Sequence, residues 1–139
     1  MTRIVVDASI TGLILLSDEA DCGGEAIFDR LLTGDLILAA HWQLEVASLL
    51  VKATRRQRLP TSERLRCFAE VDLLLAAGNV ACAAHPREIF DLAIAANLTA
   101  YDAVYLELAL RLEATLATND NALIAAARAR RVPVLTTRP

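Results

Sequence analysis

This chain of 139 residues is poor in glycine, proline and cysteine and has no long apolar run, so disorder, disulfide bonding and membrane insertion are not expected. It contains only five glycines and four prolines, and 55% of its residues are hydrophobic, a composition that argues against disorder. No apolar run approaches the ~20 residues that span a bilayer. The first residues, MTRIVVDASI, lack the apolar core and cleavage site of a secretory signal. We therefore predict a single cytoplasmic domain, residues 1–139, without membrane contact.

Cysteine and histidine are equally scarce. The three cysteines, Cys22, Cys67 and Cys82, are widely and irregularly spaced. We therefore expect free thiols and neither a disulfide framework nor a zinc site. The two histidines, His41 and His85, form no motif with a cysteine or with each other. We expect both to be ordinary loop residues.

The charge is unevenly distributed along the chain. Its net value is −3, which does not favour nucleic-acid binding, but residues 18–35 hold six acids and one arginine. Residues 52–66 have the opposite bias, with one acid, Glu63, among the cations Lys52, Arg55, Arg56, Arg58, Arg64 and Arg66. We expect Arg55, Arg56 and Arg58 to contact phosphates, although one or two of them could simply complement a helix C-terminus.

Strand-like and helix-like segments alternate. Short apolar runs at 3–6, 36–40, 79–84, 114–118 and 132–137 predict strands. Helical patterns cover 26–34, 42–56, 61–78, 86–97, about 99–112 and 121–131, and Gly34 and Gly78 mark two helix ends. This order predicts an α/β fold with a central parallel β-sheet and helices on both faces.

Four acids lie where a parallel sheet of this kind binds ligands. Asp7 follows the first strand and Asp120 follows ATLAT, while Glu45 and Asp102 fall in the first turns of helices. Ligands bind in the crevice at the carboxyl ends of the strands, so these acids are candidates for one site.

Each acid also has a simpler interpretation except Glu45. Asp7 and Asp120 fit helix N-caps, and Thr99 with Asp102 fits a capping pattern. Asp102 lies at the edge of a predicted buried stripe formed by Tyr101, Val104, Tyr105, Leu108 and Leu112. Glu45 lies on the apolar side of its helix, where it needs a partner, and neighbouring helical positions do not offer a cation.

Together, the four carboxylates indicate a metal site. In one crevice they would repel each other unless a cation lay between them. Oxygen ligands without histidine or cysteine favour Mg²⁺ or Mn²⁺, which support phosphoryl chemistry.

The segments IVVDAS, LEVASLL, LTAYDAVYLELA and LATNDNAL, in this order, resemble the PIN-domain ribonucleases and, more closely, the VapC-type toxins of type II toxin–antitoxin pairs. The resemblance covers essentially the whole chain. It implies an acidic site of Asp7, Glu45, Asp102 and Asp120, with Asp7 and Asp102 as the closest metal ligands. Ser9 and Thr118 match small hydroxyl positions that support the ligands, and Ser48 replaces the usual asparagine of E-V-A-N.

By this resemblance the protein is expected to be an endoribonuclease toxin with Mg²⁺ or Mn²⁺ as cofactor. It is expected to form a homodimer, with helices 42–57 and 61–77 as the candidate interfaces, and to be inhibited by a cognate antitoxin. The main alternative is a non-catalytic RNA- or protein-binding domain on the same fold, and a structure-specific DNA nuclease is another. A receiver domain is disfavoured because Asp7 stands alone and Lys52 is the only lysine.

Overall fold

The computed structural model describes residues 2–16 and 23–139. The elements in these ranges are β1 (Arg3–Val6), α1 (Ala8–Leu15), α2 (Gly24–Thr33), β2 (Asp35–Ala39), α3 (Trp42–Arg55), α4 (Thr61–Ala77), β3 (Asn79–Ala81), α5 (Pro86–Ala96), α6 (Ala100–Arg111), β4 (Thr115–Ala117), α7 (Asn121–Ala129) and β5 (Val134–Leu135). Cys22, predicted to be a free thiol, lies outside the described residues, as does the first part of the acidic segment 18–35. Of the other two cysteines, Cys67 is a buried free thiol and Cys82 an exposed one.

All five strands form one parallel sheet in the order β3-β2-β1-β4-β5. The strand β1 lies at the centre, with Val5 beside Ile37 of β2 and Leu116 of β4. The chain adds β2 and then β3 on one side of β1, and afterwards adds β4 and then β5 on the other side. The strand order therefore reverses between β1 and β4. A ligand site is expected at that reversal.

Helices cover both faces of the sheet, as the sequence predicted. On one face α1 packs against α2 and α3, and α2 packs against α4. On the other face α6 crosses β1, β2 and β4 and lies between α5 and α7. The β-branched strand residues Val5 and Val6 are fully buried between these layers, which is typical of a parallel sheet.

Several predicted boundaries are wrong at the edges of the sheet. The predicted strands 79–84 and 132–137 are only Asn79–Ala81 and Val134–Leu135. Both are edge strands with one neighbour each, so fewer residues have a hydrogen-bonding partner.

Gly34 was predicted to end its helix as a C′ residue, a position that often needs a left-handed backbone, but its φ is −92°. The close packing around Gly34 disfavours a larger residue at this position instead, since an added Cβ would lie 3.0 Å from Cδ1 of Ile4.

One member of the predicted buried stripe on α6 is exposed. Tyr101 keeps 64% of its surface accessible, whereas Tyr105 and Leu108 are fully buried. Tyr101 instead lines a groove formed with α5, where its ring lies 5.7 Å from that of His41.

No single helix in the described ranges is long and apolar enough to cross a membrane. The bent pair α5 and α6, at 100° to each other, passes that test only by combined length and composition.

Candidate active site

Asp7 lies directly after β1 and is only 3% exposed. Its Oδ2 accepts hydrogen bonds from the hydroxyls of Ser9 at 2.6 Å and Thr118 at 2.7 Å. Although Asp7 occupies the N-cap position of α1, its side chain makes no capping hydrogen bond. The hydroxyls of Ser9 and Thr118 are therefore the close hydrogen-bonding partners of this carboxyl. Burial raises the pKa of this carboxyl, while the hydrogen bonds from Ser9 and Thr118 oppose the rise.

Asp120 is both a helix cap and a neighbour of Asp7. Its Oδ1 accepts the backbone N–H of Leu123 at 2.9 Å, so it is the N-cap of α7. Its own N–H donates to Oγ1 of Thr118, the same hydroxyl that donates to Asp7. The loop after β4 is thus joined to the end of β1, and the capping and site interpretations of Asp120 are compatible.

Asp102 lies in the first turn of α6. The backbone N–H of Asp102 donates to Oγ1 of Thr99, which confirms Thr99 as the N-cap. The pKa of Asp102 is raised to about 6, first by burial and then by the negative charges of Asp7, Asp120 and Glu45. Asp102 is therefore close enough to the other three carboxylates for their negative charges to disfavour its ionised form.

Glu45 is held by two aromatic side chains through one oxygen. The hydroxyl of Tyr105 donates to Oε1 at 2.6 Å, and Nε2 of His41 lies 3.1 Å from the same atom. Burial raises the pKa of Glu45, but the contacts with His41 and Tyr105 outweigh it and leave the pKa below its ordinary value. The rings of His41 and Tyr105 also pack together, with centroids 4.8 Å apart.

The sequence did not predict these two partners of Glu45. His41 lies in a turn directly before α3, as expected of a loop residue, but its ring also contacts Glu45. His41 immediately precedes α3, four residues before Glu45, so the one-turn spacing was a usable signal. The contact with Tyr105 joins positions 60 residues apart and left no local pattern.

The four acids line one open pocket of about 400 Å³. Cations from α3 and the segment after it line the same pocket, together with the predicted Ser48. The charged and hydroxyl residues around it are Asp7, Ser9, Glu45, Ser48, Lys52, Arg56, Arg58, Asp102 and Asp120. Arg55, which was predicted to belong with Arg56 and Arg58, lines a different groove between α3 and α4.

The residues present fit a hydrated hard cation. No three Asp, Glu, His or Cys side chains in the described ranges come close enough to form a ready-made cluster of metal ligands. Mg²⁺ keeps several waters and binds through as few as one or two carboxylates, so it does not need such a cluster. Among the described residues, those lining the pocket include four carboxylates and no histidine or cysteine. This donor set suits Mg²⁺ or Mn²⁺ and not zinc.

Solved structures share the fold of this chain over nearly its whole length. PAE2754 from Pyrobaculum aerophilum has a TM-score of 0.71 and 20% identity, with 98% of this chain and 90% of that chain covered. FitAcB from Neisseria gonorrhoeae has a TM-score of 0.61 and 19% identity, covering 96% and 97%. VapBC2 from Rickettsia felis, bound to a DNA fragment from its promoter, has a TM-score of 0.60 and 11% identity, covering 96% and 98%.

No curated protein sequence matches the chain. The PIN domain family profile matches residues 4–129, from the central strand to the end of α7. Because this match spans most of the chain, the protein belongs to the PIN domain family, whose members are generally nucleases.

Proposed function

We propose that the protein is a metal-dependent endoribonuclease of the VapC type that hydrolyses RNA phosphodiesters. The observation that carries the proposal is a single pocket lined by four carboxylates together with Lys52 and Arg56. Such a pocket needs a cation among the acids and offers positive charge for a phosphate backbone.

Asp7 and Asp102 are the proposed direct ligands, with Glu45 and Asp120 completing the site directly or through water. When bound, Mg²⁺ or Mn²⁺ supplies Lewis acidity at the phosphate and lowers the pKa of water. The hydroxyls of Ser9 and Thr118 both donate to Oδ2 of Asp7 and so orient this carboxylate. Oδ1 is the proposed metal-binding oxygen.

Glu45 is proposed to orient the attacking water. Its lowered pKa keeps it ionised near neutral pH, and Tyr105 and His41 both engage Oε1. The remaining oxygen, Oε2, can accept a hydrogen bond from water. In the reaction the water oxygen bonds to phosphorus as the bond from phosphorus to the 3′-oxygen breaks, which leaves 5′-phosphate and 3′-hydroxyl ends.

An antitoxin partner is part of the proposal. FitAcB and VapBC2, with which the chain shares its fold, are toxin–antitoxin complexes. An antitoxin arginine entering the pocket would pair with the carboxylates and exclude the metal. We also propose a homodimer, since exposed apolar surface usually marks an interface, and a cytoplasmic location, where the RNA substrate is found.

Incubating the purified protein with total RNA tests the activity. Cleavage is expected with Mg²⁺ or Mn²⁺, and is expected to disappear with EDTA and in D7N and D102N variants that keep the wild-type circular dichroism spectrum. Mapping the cut ends should reveal 5′-phosphates. Cyclic 2′,3′-phosphates would show that the ribose hydroxyl attacked, and binding without cleavage would favour the non-catalytic alternative.

A further inference from the structure

A second pocket adjoins the acidic pocket on the α7 side. It measures about 930 Å³ and shares Ser9 and Asp120 with the acidic pocket. The rest of its lining comes from Leu13 of α1, the loop before α7, the start of α7 and the segment after β5, and includes Asn119, Asn121, Thr137 and Arg138. Because the two pockets share Ser9 and Asp120, a chain that crosses the carboxylates can extend from one pocket into the other.

Arg138 supplies a positive charge in this second pocket. Its Nε donates to the backbone carbonyl of Asn119, and its backbone N–H donates to Oγ1 of Thr136 at 3.1 Å. Neither terminal nitrogen of this guanidinium forms a hydrogen bond or an ion pair with the described residues. The exposed side chain is therefore held at one nitrogen while its two terminal nitrogens can bind an anion.

Asn119 fixes the segment that carries Arg138. Its Oδ1 accepts from the hydroxyl of Thr136 at 2.7 Å and from the N–H of Thr137, and its Nδ2 donates to the hydroxyl of Thr137 at 2.9 Å. The same residue precedes Asp120 and donates its own N–H to Ser9. One asparagine thus ties the segment of Arg138 to the acidic loop.

We propose that Arg138 binds a backbone phosphate of the RNA, next to the one that is cleaved and on the opposite side of the carboxylates from Lys52 and Arg56. This inference rests on the proposed function, because it assumes that RNA crosses the acidic pocket. Arg138 sets the path of the strand, and Asn119 acts as a positioning residue that holds Arg138 in place.

The test measures binding of a short labelled oligouridine to the full chain in EDTA, over a range of salt concentrations. R138Q removes the charge, and R128Q is the matched control because Arg128 is exposed near the far end of α7. We expect R138Q to weaken binding roughly three- to tenfold and to lower the slope of log K against log salt by about 0.7, because one phosphate is no longer neutralised. R128Q should bind like the wild type.

N119A keeps every charge but removes the three side-chain hydrogen bonds to Thr136 and Thr137, so a smaller decrease in affinity is expected. Equal affinity and salt dependence of R138Q and wild type would overturn the inference. A decrease seen only with oligouridine carrying a 5′-phosphate would also overturn it, since a terminal phosphate would then be the ligand. If the wild type binds as expected but cleaves no RNA with Mg²⁺, the ribonuclease proposal fails while this subsite stands.

Discussion

At the scale of single residues, Asp7 and Glu45 show the same design. Each carboxylate has one oxygen engaged by two neighbours, Ser9 and Thr118 for Asp7 and Tyr105 and His41 for Glu45. Contacts of this kind orient a carboxylate that is to bind a metal ion or a water. Asp102 differs, because its backbone is capped by Thr99 while burial and three other acids act on its side chain.

The raised pKa of Asp102 predicts a loss of stability with rising pH in the metal-free protein. Below pH ~4 both folded and unfolded chains hold the proton, so repulsion is absent. Between pH ~4 and the folded-state pKa of about 6, the unfolded chain releases its proton first and the free energy of unfolding falls. We expect the fall in the free energy of unfolding to be about 1 kcal/mol, less than the pKa shift alone implies, because solvent partly screens this side chain. D102N should abolish this fall.

Urea unfolding in EDTA at pH 4, 5 and 7.5 measures this effect. The control is D91N, which changes an exposed acid on α5. Added Mg²⁺ should stabilise the wild type more at pH 7.5 than at pH 5, because the ion competes with the proton, and D102N should abolish that difference. Parallel stability curves for wild type and D102N would mean that Asp102 is not part of the mutual repulsion.

The four acids could be predicted from the sequence because each directly follows a strand or begins a helix, and such positions converge in a parallel sheet. The partners of Glu45 could not be predicted as readily. Tyr105 looked like an ordinary core residue, and only the folded chain shows its hydroxyl on Oε1. The position of Arg138 could not be predicted either, because it depends on hydrogen bonds to a loop about 18 residues earlier.

At the scale of elements, α3 separates the cations that the sequence grouped together. Glu45, Ser48, Lys52 and Arg56 recur at three- and four-residue spacing and line the acidic pocket. Arg55 lies on another side of the helix, facing α4 across an apolar groove that also contains Arg64. Helical phase, and not closeness in sequence, thus decides which cations can meet a phosphate.

The double variants K52Q/R56Q and R55Q/R64Q test this separation, because each removes two positive charges. The first should weaken oligouridine binding and lower its salt slope by about 0.7 for each phosphate that is no longer neutralised. The second should leave both quantities unchanged. Equal decreases in the two variants would show that net charge alone governs binding and would place no phosphate path along α3.

Six of the seven helices in the described ranges were predicted to within a few residues, since capping and apolar spacing are local signals, but no range was predicted for α1 (Ala8–Leu15). The structure begins α4 at Thr61 and ends it at Ala77, as the pattern 61–78 indicated. The exposed apolar face of α5 was missed, because a helix on the outside of a sheet shows the same periodicity whether or not another chain covers it.

At the scale of the whole molecule, apolar side chains are exposed in two separate grooves of the described residues. The predicted helices α3 and α4 form the groove that contains Val51 and Phe68. The second surface, on α5 and α6, exposes Phe90 at 63% and Ile94 at 70%, one helical turn apart, beside Tyr101. Exposed clusters of this kind mark interfaces more often than isolated apolar residues do.

The charges around these surfaces distinguish their partners. A homodimer joins identical patches, so facing copies of the α3–α4 groove would bring the cations Arg55 and Arg64 of both chains together. Among the described residues, those lining the α5–α6 groove are apolar apart from His41 and Tyr101 and include no arginine or lysine, so two facing copies would not bring such cations together. We therefore expect the dimer to form through α5 and α6, and an antitoxin helix with acidic flanks to occupy the α3–α4 groove.

Light scattering on purified variants tests this assignment. F90S/I94S should convert a dimeric wild type to a monomer without loss of helical content, because both side chains are already more than half exposed and the fold does not depend on them. F68S, the matched change in the other groove, should stay dimeric but bind the product of the neighbouring gene more weakly, by ~1 kcal/mol or more for a buried aromatic side chain. A dimer that survives F90S/I94S but dissociates in F68S would reverse the assignment. A wild-type monomer that binds no neighbouring product would leave a nuclease domain without the toxin–antitoxin partnership.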